Sequence, residues 1–210
     1  KQDGSVGYYQ TVNKTTPVAG DVKYVDRNGD GVVDDNDRDI IGNPNPDFTY
    51  GFQTKVSWKS LSLSASFNGV QGRDILNVGN RYNNTPGTKS NNVTRKAFQN
   101  MWTDENPSNL YPKSTFVVQN MVMDRYVEDG SYLRCSDITL SYVLPAKWTN
   151  KIGIKNTSVY ASVKNAFVIT DYSGYDPEVN SFAFDGLRPG VDMNSYPTPR
   201  SFVFGLNLTF

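Results

Sequence analysis

Apolar and small polar side chains alternate with a period of two in several separate runs of this chain. In Tyr50–Trp58 one face carries Tyr50, Phe52, Thr54, Val56 and Trp58, and the other carries Gly51, Gln53, Lys55 and Ser57. Helices repeat every 3.6 residues and strands every two, so this run reads as a strand. After Lys59 and Ser60 the pattern resumes, with Leu61, Leu63, Ala65 and Phe67 against Ser62, Ser64, Ser66 and Asn68. Two such runs around so short a link predict a β-hairpin. Ile138, Leu140, Tyr142 and Leu144 alternate with Asp137, Thr139 and Ser141 until Pro145 ends the run. Leu133 and Cys135 are apolar in the opposite phase, which predicts a bulge near Ser136–Asp137. Val159, Ala161 and Val163 alternate with Tyr160, Ser162 and Lys164, and that run continues towards Ile169. The last run sets Phe202, Phe204, Leu206, Leu208 and Phe210 against Ser201, Val203, Gly205, Asn207 and Thr209. These are five clear strands, with room for a sixth among Val6–Val25, and the class is all-β.

The chemistry of the polar face narrows the choice. A water-soluble sandwich has an apolar interior and a mostly charged exterior. Here the wet face is Ser, Gly, Asn, Thr and Gln with few charges, and the dry face is Leu, Phe, Tyr and Trp. Aromatics make up 13% of the residues although the mean hydropathy is −0.54. That combination fits lipid on one side of a sheet, water on the other and aromatic girdles at the strand ends.

Composition removes several functions. Lys+Arg and Asp+Glu both number 21, which gives no electrostatic case for nucleic acid. The chain has no histidine, so histidine-based triads and zinc sites are excluded within it, and no enzyme is expected. Its one cysteine, Cys135, reads as a small strand residue. No apolar run approaches the ~20 residues of a membrane-crossing helix. Lys1–Tyr9 lacks the apolar core of a secretion signal, leaving a cytosolic chain or a piece whose start lies upstream.

The connections alternate in length. Lys59–Ser60 is tight, and Gln71 to about Asp129 is long and polar with a short helix expected at Val93–Trp102. Pro145–Asn156 is shorter, and Asp171–Pro199 is long again and rich in Pro, Gly, Asp and Asn. Short turns at one end and long loops at the other suit outer-membrane barrels, with the long loops outside the cell.

One segment carries metal chemistry. Asp26-Arg-Asn-Gly-Asp-Gly-Val-Val-Asp-Asp-Asn-Asp37 has calcium-loop spacing, with Asp26, Asn28 and Asp30 at positions one, three and five and Gly31 at the turn. Val32 would offer its carbonyl, Asp34 would act directly or through water, and Asp37 holds position twelve. Asp at twelve is shorter than the usual Glu, and the flanks Val22–Val25 and Asp39–Ile41 look extended, so a lone structural Ca2+ loop is expected. A bare polar turn is the alternative. Asp176-Pro177-Glu178 places two carboxylates close together and reads as a solvated turn. Trp102, Tyr111, Tyr172 and Tyr175 are aromatics suited to stacking on sugars, though packing is the commoner role.

Several stretches resemble the C-terminal barrel region of SusC/RagA-type TonB-dependent outer-membrane transporters. They are Gly20–Arg38, Ile41-Gly-Asn-Pro-Asn-Pro-Asp-Phe-Thr-Tyr-Gly-Phe52, Arg125–Arg134, Ile138–Pro145, Gly174-Tyr-Asp-Pro-Glu-Val179 and Tyr196-Pro-Thr-Pro-Arg-Ser-Phe202. The resemblance implies a 22-stranded barrel with a plug in the full protein. It also implies a SusD-like surface lipoprotein as lid, TonB as energy supplier, and an oligosaccharide or peptide as cargo. Residues 20–48 would then be an aspartate-rich extracellular loop, 71–129 and 171–199 further extracellular loops, and 200–210 the terminal strand. Phe210 would belong to the barrel-assembly signal. Since 22 strands of roughly 9–11 residues already fill such a length, the chain is expected to be one segment of a barrel in the bacterial outer membrane. The rival reading is a secreted, calcium-stabilised β-sandwich that binds glycans.

Overall fold

A computed structural model describes residues 8–9, 18–85, 92–114, 122–149, 154, 156–178 and 180–209. The chain forms two compact units, residues 42–76 with 127–210, and residues 1–41 with 77–126.

The strands in chain order are β1 Tyr8–Tyr9, β2 Val32–Val33, β3 Phe48–Trp58, β4 Leu61–Gln71, β5 Asp74–Asn77, β6 Val127–Asp129, β7 Tyr132–Val143, β8 Asn156–Thr170, β9 Val191–Asp192 and β10 Ser201–Thr209. Five of them build one antiparallel sheet in the order β10-β8-β7-β4-β3. All five predicted strands are therefore present, at 9 to 15 residues each, which suits a tilted membrane-crossing strand of about 9–11 residues. Residues 18–25 carry no strand, and the pair Tyr8–Tyr9 lies parallel to Val32–Val33. Val6 and Phe210 lie outside the described residues.

Register explains the two faces. Paired residues share a face, so Phe204, Ala161, Leu140, Leu63 and Val56 form one apolar row across all five strands. The next row is Leu206, Val159, Tyr142, Leu61 and Trp58. On the opposite face the rows are small and polar, such as Gly205, Tyr160, Ser141, Ser62 and Ser57. Nothing among the described residues covers the apolar face: Phe204 is 79% exposed, Trp58 68% and Leu63 47%. The described residues form no second layer over those side chains, so the two-layer sandwich, in which they would fill the core, is not favoured.

The expected bulge is there. Ser66 pairs with Asp137 and Phe67 with Cys135, leaving Ser136 as the extra residue. Tyr132, Arg134, Ile138 and Leu140 all have even numbers, and an unbroken strand would send them to one face. The extra residue reverses the phase, so Ile138 and Leu140 join the apolar rows while Arg134 and Tyr132 pair with Asn68 and Val70 on the polar face.

The connections divide by length between the two ends of the sheet. Lys59–Ser60 and the Leu144–Lys155 link, with helix α3 Ala146–Thr149, leave from one end. The long ones follow Gln71 and Thr170 at the other. There the β4–β7 pair continues into a small sheet ordered β6-β5-β9. Gly72 N–H donates to Ser131 Oγ at 3.0 Å and Gly130 N–H to the Arg73 carbonyl at 2.8 Å, which holds the join together. Ile75, fully buried, is the centre of this sheet.

The second unit holds α1 Val78–Asn84, capped by Asn77, and α2 Arg95–Asn100, capped by Thr94. α2 lies inside the predicted Val93–Trp102; α1 and the small sheet had no legible pattern. Gly20 sits at φ +86 under the Trp102 ring, where a Cβ would collide with the indole. Lys113 Nζ pairs with Asp21 at 3.1 Å.

Candidate functional site

The site with the densest polar chemistry lies on the polar face of the sheet, where the β8–β10 connection folds over it. Arg134, brought to this face by the bulge, pairs with Asp176 Oδ1 at 2.5 Å and with Glu178 Oε2 at 3.1 Å. Glu178 Oε1 also accepts from Tyr132 Oη at 2.7 Å and Asn68 Nδ2 at 2.9 Å. Asp176 accepts the Glu178 N–H at 2.9 Å and, through its other oxygen, the Thr198 N–H at 3.0 Å. Arg73 donates to the Pro177 carbonyl, and its guanidinium lies 5.8 Å from the Tyr132 ring centre. Arg134 is 5% exposed and Asp176 3%. The solvated turn expected at Asp176-Pro177-Glu178 is thus corrected. These carboxylates are drawn down because a buried guanidinium on the sheet must be matched by opposite charge. Burial alone would raise the Asp176 pKa. The N–H groups of Glu178 and Thr198, the Thr198 hydroxyl and Arg134 outweigh it and hold the carboxyl below its usual range.

Further along the same face, Asp137 accepts from Thr139 and Ser162 hydroxyls, both at 2.8 Å, and pairs with Lys164 at 2.6 Å. Beyond the Arg134 cluster, Tyr172 Oη donates to Asp192 at 2.7 Å. Burial, then that carboxylate, pushes the Tyr172 phenol above its usual pKa. Tyr172 is therefore a packed residue, whereas Tyr175 stands exposed.

The aspartate-rich loop closes on itself. Asp26 accepts the N–H groups of Gly29 at 2.7 Å and Gly31 at 2.8 Å. Asn28 accepts from Asp30 N–H and Asp30 from Val32 N–H, both at 2.8 Å. Asp37 accepts from Asp34 and Arg27 N–H, both at 2.8 Å. The Asp34 bond, with those from Arg27 and Asn28, holds its carboxyl below the usual range. Asp34 in turn caps the short turn Asp35–Asp37. The six expected ligands share one loop, and the five side chains among them, Asp26, Asn28, Asp30, Asp34 and Asp37, accept from backbone N–H groups. Among the described residues no three acidic or cysteine side chains gather closely enough to form a metal cage. An oxygen that accepts one N–H keeps further acceptor capacity, so these bonds orient the donors without exhausting them. The same unit holds a cleft of about 1100 Å³ lined by Trp102, Tyr111, Arg27 and Arg125 among others.

No family model matches the chain. It is similar to TonB-dependent receptor P26 of Formosa agariphila, 35% identical over 201 residues, which are 92% of this chain and 20% of that protein. It is 34% identical over 194 residues to TonB-dependent receptor SusC of Bacteroides thetaiotaomicron, covering 89% of this chain and 17% of the relative. The solved RagAB peptide importer in its open-open state superposes with a TM-score of 0.69 at 29% identity, over 81% of this chain and 18% of that one. The chain is a barrel portion of a SusC/RagA-family TonB-dependent receptor. It spans about a fifth of the length of the curated relatives it matches. For this SusC/RagA segment the single-layer sheet with a bare apolar face is the expected wall geometry. The Arg134 cluster, by contrast, was not legible in the sequence. The only signal was the phase reversal around Ser136, which is what turns Arg134 inward.

Proposed function

We propose that this chain is part of the wall and outer mouth of an outer-membrane transporter that imports oligosaccharides or peptides. The observation that carries the reading is the separation of the two faces across five registered strands, with the apolar rows uncovered. Phe48–Trp58 is 11 residues, so its ends are about 33 Å apart along the strand. At a tilt of about 40° that spans about 25 Å, the height of a barrel's apolar band. Trp58 and Tyr142 would sit at one interface and Phe48, Tyr50 and Phe167 at the other.

β3 pairs only with β4 and β10 only with β8 among the described residues, so each has a free edge. Free edges are untenable in hydrocarbon, and strands from the rest of the receptor would close them. Loops 20–48, 71–129 and 171–199 would face outward, towards a SusD-like lipoprotein and the cargo. TonB would drive transport through the rest of the protein, and this segment would make and break no bonds. In the full-length receptor, deleting 201–210 removes nine registered pairs with β8. Loss of the receptor from the outer membrane is expected, and normal levels there would refute the reading.

Asp26, Asn28, Asp30, the Val32 carbonyl, Asp34 and Asp37 would hold a structural calcium ion, fixing this loop. Terbium luminescence from the full receptor, abolished by Asp30→Ala and displaced by calcium, would support that. An identical signal from the variant would end it.

A further inference from the structure

The Arg134 cluster ties together parts of the chain that are far apart in sequence. Asn68 belongs to β4, Arg73 to the β4–β5 link, Tyr132 and Arg134 to β7, and all four reach the single segment Asp176–Glu178. Asp176 grips both legs of the β8–β10 connection, because its second oxygen takes the Thr198 N–H three residues before β10 begins. Pro177 is fully buried and its carbonyl faces Arg73. Further out, Ser181 Oγ and Ser195 Oγ lie 2.7 Å apart and Ser181 N–H donates to the Val191 carbonyl at 2.9 Å, so the legs stay joined up to the tip. At the tip Phe184 and Leu187 are bare.

We propose that Arg134, Arg73 and Tyr132 form a clasp that fixes the β8–β10 connection across the lumenal face of the wall, making it a permanent constriction of the channel mouth. This rests on the reading of the polar face as lumenal. A surface loop held by solvated pairs would swing freely, since such pairs contribute little. Here the carboxylate and guanidinium are both desolvated, and releasing one leaves the other buried without a partner. The loop therefore stays closed through transport, and cargo is sorted by the fixed shape of the mouth. Arg134 acts through Asp176 and Glu178 and is a positioning residue.

The test uses the full-length receptor in lipid vesicles, with spin labels at Gly186→Cys on the tip and Lys59→Cys at the far turn. The unchanged clasp is expected to give one narrow distance distribution. Arg134→Gln and Asp176→Asn should each broaden it severalfold, while Arg134→Lys, which keeps a charged donor, should recover most of the narrow peak. Should Arg134→Gln fail to assemble, Asp176→Asn and Glu178→Gln supply the answer. A broad distribution in the parent, or one unchanged in these variants, overturns the clasp. The lumenal reading is checked separately with single labels at Ala65→Cys and Ser66→Cys. Oxygen should relax the first and a water-soluble nickel chelate the second. A reversed pattern would sink the lumenal assignment whatever the distance measurement says.

Discussion

Adjacent residues on β4 give the sharpest test of which face meets hydrocarbon. Ala65 lies in the apolar row with Thr54, Ile138, Val163 and Phe202. It is four residues in from Leu61, or about 13 Å along the strand and about 10 Å along the membrane normal. That places it close to the middle of a band about 25 Å tall. An arginine there should cost about 2–4 kcal/mol, lowering the folded-to-unfolded ratio by about 30- to 1,000-fold. Ser66, the next residue, faces Gln53 and Asp137 on the polar side. There an arginine enters water beside a carboxylate, and a change within about 0.5 kcal/mol is expected. Denaturant unfolding of the full receptor in lipid vesicles, followed by the heat-dependent gel shift of barrels, measures both. Equal costs for Ala65→Arg and Ser66→Arg, or a harmless Ala65→Arg, would show that the apolar rows do not face lipid.

Deleting Ser136 should turn Arg134 and Tyr132 towards the apolar rows and unpair Asp176, a loss of about 3–5 kcal/mol that empties the outer membrane of receptor. Ser136→Ala loses only the bond to the Ser66 carbonyl, about 1 kcal/mol, and should leave receptor levels normal. Gly69→Ala would press on the Tyr50 ring and come within 2.7 Å of the Tyr132 carbonyl, costing about 1–3 kcal/mol. Gly51→Ala, with its nearest neighbour at 3.4 Å, is the neutral control, and both are read as melting temperatures in detergent. The Asp176 carboxyl is held below its ordinary pKa of 3.8, so its contribution is complete above that value and fades as pH falls through the lower folded pKa. Protease protection of the β8–β10 connection should thus be constant from pH 7 to pH 5 and fail only below about pH 4. In Asp176→Asn that acid transition should disappear.

The strands, their faces and the bulge are legible in the residue pattern, because a period of two leaves one consistent way to sort Leu, Phe and Trp from Ser, Asn and Gly. Val56, Leu63 and Leu140 could be assigned to one face before any pairing was known, and register then joined them in one row. Tertiary structure alone decided what the irregular connections do. Asp176 and Glu178 look like turn carboxylates, and their partners Asn68, Tyr132 and Arg134 lie 42 or more residues away. The physical reason is that alternation is written locally, in neighbours that must point to opposite sides, whereas burial of a charge is satisfied by whichever opposite charge the folded chain brings within reach.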